Sequence, residues 1–402
     1  MKLLQINKKN IDIFKGDEFK RFVIENVQKD SFALSLSAKM SSNSLQQQFT
    51  QQLHLYQKAA DKLPAFVEKF CLFTLKSYEQ CSSQATAMYK SSLFSEGNLL
   101  DLTGGLGVDD WAFAKAGNEV VSLEPDEELN EIAAYNFRLL GVNHIQRIPQ
   151  KAEYYLQNNN QMFGWVYCDA DRRPGGKKVY DLSGSVPDIL SLLPQIFSCT
   201  STLLIKASPM VDITSCIRQL KSVEQTIVVQ WRGEVREILF VVKKGFAEEG
   251  SISAVEVGDD GNVFQEVSSA KTKVSILTEN AASRFLYEPV PAVVKAGLVN
   301  EVAAAYGLSR VGINSAYLLG NEEGVSFWGR TFRIQTSMLY KPEVLKKYLK
   351  EKNIVKANVA KRDFPLQVED IRKKFKLKDG GNDYLFFSKG AGGELLFFHC
   401  LK

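Results

Sequence analysis

The spacing of apolar and polar residues divides the chain into three regions. Apolar positions recur every three to four residues in Glu18–Val27, Leu45–Ala60 and Pro64–Lys76, which predicts amphipathic helices. From about residue 98 to residue 243, short apolar runs alternate with helical stretches, a pattern typical of a buried parallel sheet. After Lys244 the apolar runs become shorter and alternate with polar residues, which indicates a small α+β region. Strands are expected there at 252–257, 263–266 and 274–276, followed by a helix from Ala292 to Tyr306.

The stretch 98–124 combines a strand, a glycine turn, a helix and a second strand. The apolar run at 99–102 leads into TGGLG at 103–107, a helix is expected from Val108, and the strand 119–123 ends at Glu124. Glycine allows the backbone to approach a ligand closely. A carboxylate at a strand end can accept hydrogen bonds from both hydroxyls of a ribose. This stretch therefore predicts a site for a ribose-containing ligand.

Later runs complete the predicted sheet. Strands are expected at 144–148, 165–168 and 202–206, followed by a hairpin of 226–230 with 237–242. A hairpin without an intervening helix closes the sheet with an antiparallel strand, unlike a standard dinucleotide-binding domain. The third glycine of a G-x-G-x-x-G fingerprint is also replaced, by Asp110, which makes a pyrophosphate site less favoured.

The pattern of Asp101, Gly105 and Gly107 followed by Glu124 resembles motifs I and II of the class I S-adenosylmethionine (SAM)-dependent methyltransferases. The segments 79–94 and LYEPVPAVVKAG at 286–297 resemble bacterial methyltransferases with a C-terminal THUMP-like domain. The resemblance implies an α/β fold: a Rossmann-like seven-stranded class I methyltransferase core with an N-terminal helical domain and C-terminal ferredoxin-like and THUMP-like α+β modules. The predicted domains are 1–88, 89–245, 246–338 and 339–402.

The resemblance also implies a set of SAM-binding residues. In that family the first acid holds the amino group of the methionine, the glycine loop lies against the methionine, and the second acid holds the ribose. An acid after the third strand commonly contacts adenine, but Gln150 and Lys151 occupy that place here, so Glu153 or a backbone group is expected instead. The predicted cofactor-binding residues are Asp101, Thr103, Gly104, Gly105, Gly107, Glu124, Pro125, Ala152 and Lys90.

A second candidate centre follows the strand 165–168. The run Asp169-Ala170-Asp171-Arg172 resembles the D-P-P-R or D-P-P-Y motif of nucleic-acid methyltransferases, although both prolines and the aromatic residue are missing. Asp169 and Arg172 are the predicted catalytic residues: the first would orient the acceptor and the second would meet phosphate. Arg172 and its basic neighbours 173, 177 and 178 fit a solvated loop equally well. No cysteine follows the strand 202–206, which argues against a covalent cysteine mechanism.

Charge is concentrated near the C-terminal end. The net charge is +4, and Lys341–Lys378 contains thirteen Lys or Arg against five Asp or Glu. A basic helix beside aromatic residues is expected of a module that holds RNA by its backbone. The resemblance to the THUMP-like family adds tRNA as the implied partner, because THUMP domains bind tRNA in base-modifying enzymes. A solvated helix face is the simpler alternative. The predicted RNA-binding residues are Arg362, Arg372, Lys373, Lys374 and Lys376.

Two further features of the sequence argue against a metal site and against a membrane span. The six cysteines form no C-x-x-C pair and the three histidines do not cluster with them, so no metal site is expected. No apolar run approaches the length of a membrane span, and a cytoplasmic location is expected.

The sequence thus predicts a SAM-dependent methyltransferase that modifies a base in structured RNA, either tRNA or rRNA. Two alternatives stay open: an RNA-binding protein with a degenerate, non-catalytic core, and a methyltransferase acting on a protein or small molecule. A nicotinamide-dependent oxidoreductase is more distant, and the pattern leaves the oligomeric state open.

Overall fold

The computed structural model describes residues 11–31, 33–34, 44–169, 171–172, 182–269, 283–322 and 326–402. The chain divides into two compact units: the first ends at Phe264 and the second begins at Gln265. Two short segments that precede Phe264, 233–235 and 251–255, also belong to the second unit. No helix in these described ranges is long and apolar enough to cross a membrane.

The first unit begins with helices packed around buried aromatic residues. Phe19, Phe49 and Tyr56 are 3% exposed or less, and the Phe19 ring contacts the rings of the other two. The helices are α1 Ile11–Lys15, α2 Asp17–Asn26, α3 Ser44–Ala59, α4 Pro64–Glu68, α5 Leu75–Gln80 and α6 Gln84–Ser91.

The single helix predicted for Pro64–Lys76 was wrong, because the structure has two helices there. Between them, Phe70 adopts a φ of +56° and the next three residues are all fully buried. A helix could not bury three consecutive side chains on one face. The Leu72 N–H donates to Asn136 Oδ1 at 2.7 Å, and Asn136 Nδ2 donates to the Leu72 carbonyl at 2.8 Å. This pairing satisfies the backbone where the helix is interrupted.

A nine-stranded sheet forms the centre of the first unit. Its strand order is β11-β10-β8-β9-β7-β4-β1-β2-β3. The strands are β1 Asn98–Asp101, β2 Glu119–Leu123, β3 Ile145–Ile148, β4 Trp165–Cys168, β7 Thr202–Ala207, β8 Val223–Trp231, β9 Glu234–Lys243, β10 Ser251–Val257 and β11 Val263–Ser268; β5 Asp171–Arg172 and β6 Ser185–Val186 form a separate two-stranded ladder.

The seven strands predicted from 98 to 243 are all present. Strands β1 to β4 and β7 are parallel, whereas β9 runs antiparallel to β7. Strand β9 also lies beside β8, so the predicted closing hairpin is confirmed, and the sheet is the one that the resemblance to the class I methyltransferases implied. Strands β10 and β11 extend this sheet, although the sequence predicted them within the module 246–338.

Helices connect the strands of this sheet, and three of the five begin at a side-chain cap. Asp126, Asp188 and Asp212 each accept a hydrogen bond from the backbone of the first helical turn. The helices are α7 Val108–Lys115, α8 Glu127–Leu139, α9 Ala152–Asn158, α10 Ile189–Cys199 and α11 Ile213–Leu220.

The second unit contains a seven-stranded sheet of order β13-β14-β12-β15-β18-β17-β16. Gly297, with a φ of +75°, interrupts the helix predicted from Ala292 to Tyr306, and the predicted strand 274–276 lies outside the described residues. The elements are β12 Phe285–Pro289, α12 Pro291–Ala296, α13 Val299–Ala305, β13 Ser309–Arg310, β14 Leu318–Gly320, β15 Gly329–Leu339, α14 Pro342–Glu351, β16 Asn358–Arg362, α15 Val368–Phe375, β17 Asp383–Lys389 and β18 Leu395–Leu401.

Candidate functional site

A cavity of about 390 Å³ lies at the carboxyl ends of β1, β2 and β4. Open parallel sheets bind ligands at this edge, where the strand order reverses. The cavity is lined by the glycine turn, by acids that follow three strands, and by part of the segment that precedes β1. Its lining includes Lys76, Ser77, Gln80, Cys81, Ser82, Asp101, Thr103, Gly104, Gly105, Gly107, Asp109, Glu124, Pro125, Lys151, Ala152, Glu153, Asp169, Val186 and Pro187.

The glycine turn has no space for side chains at two positions. A Cβ on Gly104 would lie 2.2 Å from both Arg147 Nη1 and Ser122 Oγ, and a Cβ on Gly107 would lie 2.4 Å from the Phe137 ring. Gly107 also has a φ of +83°, in the left-handed region. The loop therefore requires glycine because it is packed against side chains below it.

Glu124, at the end of β2, is half-buried and held in place by backbone N–H groups. Its Oε2 accepts a hydrogen bond from Gly105 N–H at 3.1 Å, and its Oε1 accepts one from Asp126 N–H at 2.9 Å. Its main-chain carbonyl accepts a hydrogen bond from Asn130 Nδ2 at 2.6 Å. The carboxylate thus has a fixed position beside the glycine turn.

The hydroxyl of Thr103 joins the ends of β1 and β4. It donates to Asp101 Oδ1 at 3.1 Å and accepts a hydrogen bond from Asp169 N–H at 2.7 Å. The Asp169 carboxylate in turn forms an ion pair with Lys206 on β7. Burial lowers the pKa of Lys206, but the charges of Asp169 and Asp109 outweigh this effect and raise it above its usual value.

Asp110, at the place of the missing third glycine, is part of a buried polar cluster. Its Oδ2 accepts hydrogen bonds from Ser122 at 2.6 Å and from Arg147 Nη1 at 2.8 Å. Burial raises the pKa of Asp110, although Arg147 opposes this shift. Burial and then the nearby Asp110 charge raise the pKa of Asp101 well above its usual value. Asp101 is only 1% exposed.

Lys90, predicted to contact the cofactor, does not line the cavity. It is fully buried, and its Nζ donates to both carboxylate oxygens of Glu237 on β9 at 2.8 Å. It also donates to Ser82 Oγ at 3.1 Å and lies 3.2 Å from Asp109 Oδ1. The ammonium group of Lys90 therefore points to the sheet, and Lys90 lies behind the residues that line the cavity.

Asp109 is a carboxylate that the sequence did not single out. Its Oδ2 accepts hydrogen bonds from Ser82 and from the Tyr167 hydroxyl, both at 2.9 Å. Burial alone would raise the pKa of Asp109, but the positive charges of Lys90 and Lys206 bring it below its usual value. The cavity therefore has an ionised carboxylate at the first turn of α7.

The other predicted residues fall into two groups. Pro125 and Ala152 line the cavity together with Lys151 and Glu153, whereas Gln150 is absent from its described lining. The backbone of Arg172 lies in β5, but its side chain, like the basic residues at 173, 177 and 178, lies outside the described residues.

The basic residues predicted to bind RNA differ in their exposure and in their ion pairs with acidic side chains. Lys373, Lys374 and Lys376 are exposed. Arg362 lies 3.4 Å from a Glu288 carboxylate oxygen, and Arg372 forms an ion pair with Asp379. Helix α14 adds three further exposed lysines, Lys346, Lys347 and Lys350.

Within the described part of the chain, no group of three or more His, Cys, Asp or Glu side chains could hold a metal ion. All six cysteines are free thiols.

Three comparisons show which known proteins this chain resembles. Residues 329–402 match a family described as THUMP domain-like. A Mycobacterium tuberculosis protein named as an uncharacterised S-adenosylmethionine-dependent methyltransferase is 21% identical over 307 residues, which cover 76% of this chain and 81% of that protein. A crystal structure from Porphyromonas gingivalis W83, provisionally named a methyltransferase, is 25% identical and has a TM-score of 0.79. The match covers 99% of this chain and 100% of that one, so the two share a fold along their length.

Proposed function

We propose that this chain, a class I SAM-dependent methyltransferase, transfers a methyl group to a base in structured RNA, either tRNA or rRNA. The observation that carries the proposal is the cavity at the carboxyl ends of β1, β2 and β4, with the glycine turn and the carboxylate of Glu124 on its wall. The match of residues 329–402 to a THUMP-like family supports the choice of RNA.

The residues present fit SAM. The cavity volume lies in the range of ligand pockets, about 300–1,000 Å³. In our proposal the glycine turn and Asp101 hold the methionine end, Glu124 accepts hydrogen bonds from the ribose hydroxyls, and Ala152 with its neighbours borders the adenine. Bound SAM supplies a methyl carbon on a positively charged sulfur.

Asp169 is the proposed acceptor-orienting residue. Its backbone is fixed by Thr103 and its carboxylate by Lys206, so a carboxylate oxygen has a defined position at the cavity. By accepting a hydrogen bond from an exocyclic amine of the base, Asp169 would align the nitrogen lone pair with the methyl carbon. An in-line displacement depends mainly on such positioning. Arg172 is proposed to meet an RNA phosphate.

The exposed lysines of the second unit are proposed to contact the RNA backbone. Phosphate contacts of this kind depend on charge and on ionic strength more than on base sequence. Arg362 and Arg372 already pair with acids of the same unit, so we assign the larger share of the phosphate contacts to Lys373, Lys374 and Lys376.

The first experiment is calorimetric titration with SAM and S-adenosylhomocysteine, with NAD as the comparison ligand. We expect binding of both SAM species, weakened by Glu124→Gln, and no binding of NAD. Failure of wild-type protein to bind either SAM species would contradict the proposal.

The second experiment measures transfer of a labelled methyl group from SAM to RNA of cells that lack this protein. Ribonuclease should abolish the labelled product. Neutralising Lys373, Lys374 and Lys376 together should weaken RNA binding, and the matched control neutralises Arg21, Lys58 and Lys115, exposed cations of the first unit. Labelling that survives ribonuclease would favour a protein or small-molecule acceptor. SAM binding without transfer to any RNA would favour the non-catalytic RNA-binding alternative.

A further inference from the structure

We infer that Arg147 is a positioning residue that fixes the glycine turn and the carboxylate of Glu124 for the ribose of the cofactor. The inference rests on the proposed function, because it concerns the same cavity. Arg147 lies on β3, and its side chain is 7% exposed.

The guanidinium of Arg147 uses all three nitrogens beneath the glycine turn. Nη2 donates to the Gly105 carbonyl at 2.8 Å, Nη1 donates to Asp110 and Ser122, and Nε donates to Asn130 Oδ1 at 2.8 Å. One side chain thus ties the turn to β2, α7 and α8. A planar group with several fixed donors suits this role, which the point charge of a lysine cannot reproduce.

These contacts close a ring that includes Glu124. Arg147 bonds the Gly105 carbonyl, and the N–H of the same Gly105 bonds Glu124 Oε2 at 3.1 Å. On the other side, Arg147 bonds Asn130, whose Nδ2 donates to the Glu124 carbonyl at 2.6 Å. Both the side chain and the backbone of Glu124 are therefore set, through one intermediate each, by Arg147.

Asp110 explains why a cation is needed at this place. It replaces the glycine that would let α7 pack closely on its strand in a dinucleotide site, and it brings a fully buried carboxyl group under the turn. Arg147 supplies the opposite charge that a buried carboxylate requires. The guanidinium that pairs with Asp110 through Nη1 also holds the loop through Nη2.

The test compares S-adenosylhomocysteine with its 2′-deoxyribose analogue by calorimetry. In the wild type, loss of a hydroxyl that bonds a carboxylate should weaken binding roughly tenfold to a hundredfold. In Arg147→Lys the two ligands should differ much less in affinity, because Gly105 and Asn130, which set the Oε2 and the main-chain carbonyl of Glu124, are no longer fixed by the guanidinium. We call the ratio of the two affinities the discrimination. In Arg147→Ala, millimolar guanidinium should restore part of this discrimination, which a merely structural role would not produce.

The matched control is Arg310→Lys in the second unit. Arg310 also binds a backbone carbonyl, that of Ser315, and an asparagine side chain, that of Asn300. Its replacement should leave the discrimination at its wild-type value. Asn130→Ala, which opens the same ring with a smaller change, serves if Arg147 variants do not fold, and it should also reduce the discrimination.

Equal weakening of both ligands in Arg147→Lys, or in Asn130→Ala where that variant serves, would overturn the inference and leave the proposed function intact. Absence of binding of both ligands to the wild type would overturn the proposed function and the inference together.

Discussion

Replacing Lys90 by methionine tests whether a buried ion pair fixes the segment before β1 to the central sheet. Lys90 is fully buried and bonds Glu237, which is itself 2% exposed. Methionine fills a similar volume but leaves Glu237 and Asp109 without their nearest positive charge. Removing one partner of a buried ion pair lowers the free energy of unfolding by about 3–5 kcal/mol. For a unit of this size that corresponds to a melting temperature lower by roughly 6–20 °C.

The assay is thermal and denaturant unfolding of the single variant, the double variant Lys90→Met with Glu237→Met, and a surface control. The double variant should regain most of the lost stability, because an apolar pair can replace a buried ion pair at little cost. The control is Lys243→Met, since Lys243 on β9 pairs with Glu224 at 3.0 Å but is 51% exposed. Lys243→Met should lower the free energy of unfolding by less than about 1 kcal/mol.

The pH dependence gives a second readout. Burial raises the pKa of Glu237, and Lys90 opposes this shift, so the pKa should rise further in Lys90→Met. A carboxyl group with a raised folded pKa contributes stability that is complete below its unfolded pKa, about 4.3, and lost as the pH rises through the folded value. The stability deficit of Lys90→Met should therefore shrink in acid.

Three results would refute this reasoning about Lys90: a cost no larger than that of Lys243→Met, a double variant as unstable as the single one, or a deficit that grows in acid. If the double variant folds stably but loses cofactor affinity, Lys90 acts on cofactor binding either directly, as the sequence suggested, or through Ser82 on the cavity wall.

Three further predictions concern the cavity and its support. Gly104→Ala should abolish binding of S-adenosylhomocysteine in calorimetry, because its Cβ would overlap the Arg147 side chain. Asn136→Ala should lower the free energy of unfolding by about 1–3 kcal/mol, because the buried backbone of Leu72 loses both of its hydrogen bonds to this side chain. Asp169→Asn should keep cofactor affinity within a few-fold while abolishing methyl transfer, measured with labelled SAM.

The controls for these variants lie at open positions. Gly16→Ala adds a Cβ with nothing within 4 Å, and Asn158→Ala removes an exposed amide. Normal cofactor binding by Gly104→Ala would show that the turn can shift. A neutral Asn136→Ala would mean that water replaces the amide. Equal loss of binding and transfer in Asp169→Asn would show that Asp169 holds the cofactor.

Local sequence determined the strands of the catalytic sheet and the glycine turn. Strands β2 and β4 were predicted with the bounds that the structure shows, because each is a short apolar run beside a turn. The acids at their carboxyl ends could be placed because parallel strands end at one edge of a sheet.

Long-range partners account for what the sequence did not show. Arg147 and Glu237 lie within strands, where a charged residue is usually solvent-exposed, and their partners are distant along the chain. Lys90 and Glu237 are separated by 147 positions. The break at Phe70 likewise depends on Asn136, and the attachment of β10 and β11 to the first sheet depends on pairing that periodicity does not encode.

The bond between Lys90 and Glu237 has a consequence for protein synthesis. Ser82, on the cavity wall, is held by Lys90, and Lys90 is anchored by a residue of β9. When the ribosome has synthesised β1 to β4 and the residue that follows β4, the glycine turn, Glu124 and Asp169 are all present. Glu237, which holds Lys90 and through it Ser82 on the cavity wall, has not yet been synthesised. Closing so long a loop is slow relative to forming local contacts. The nascent chain therefore acquires its complete cavity only after β9 has left the exit tunnel and paired.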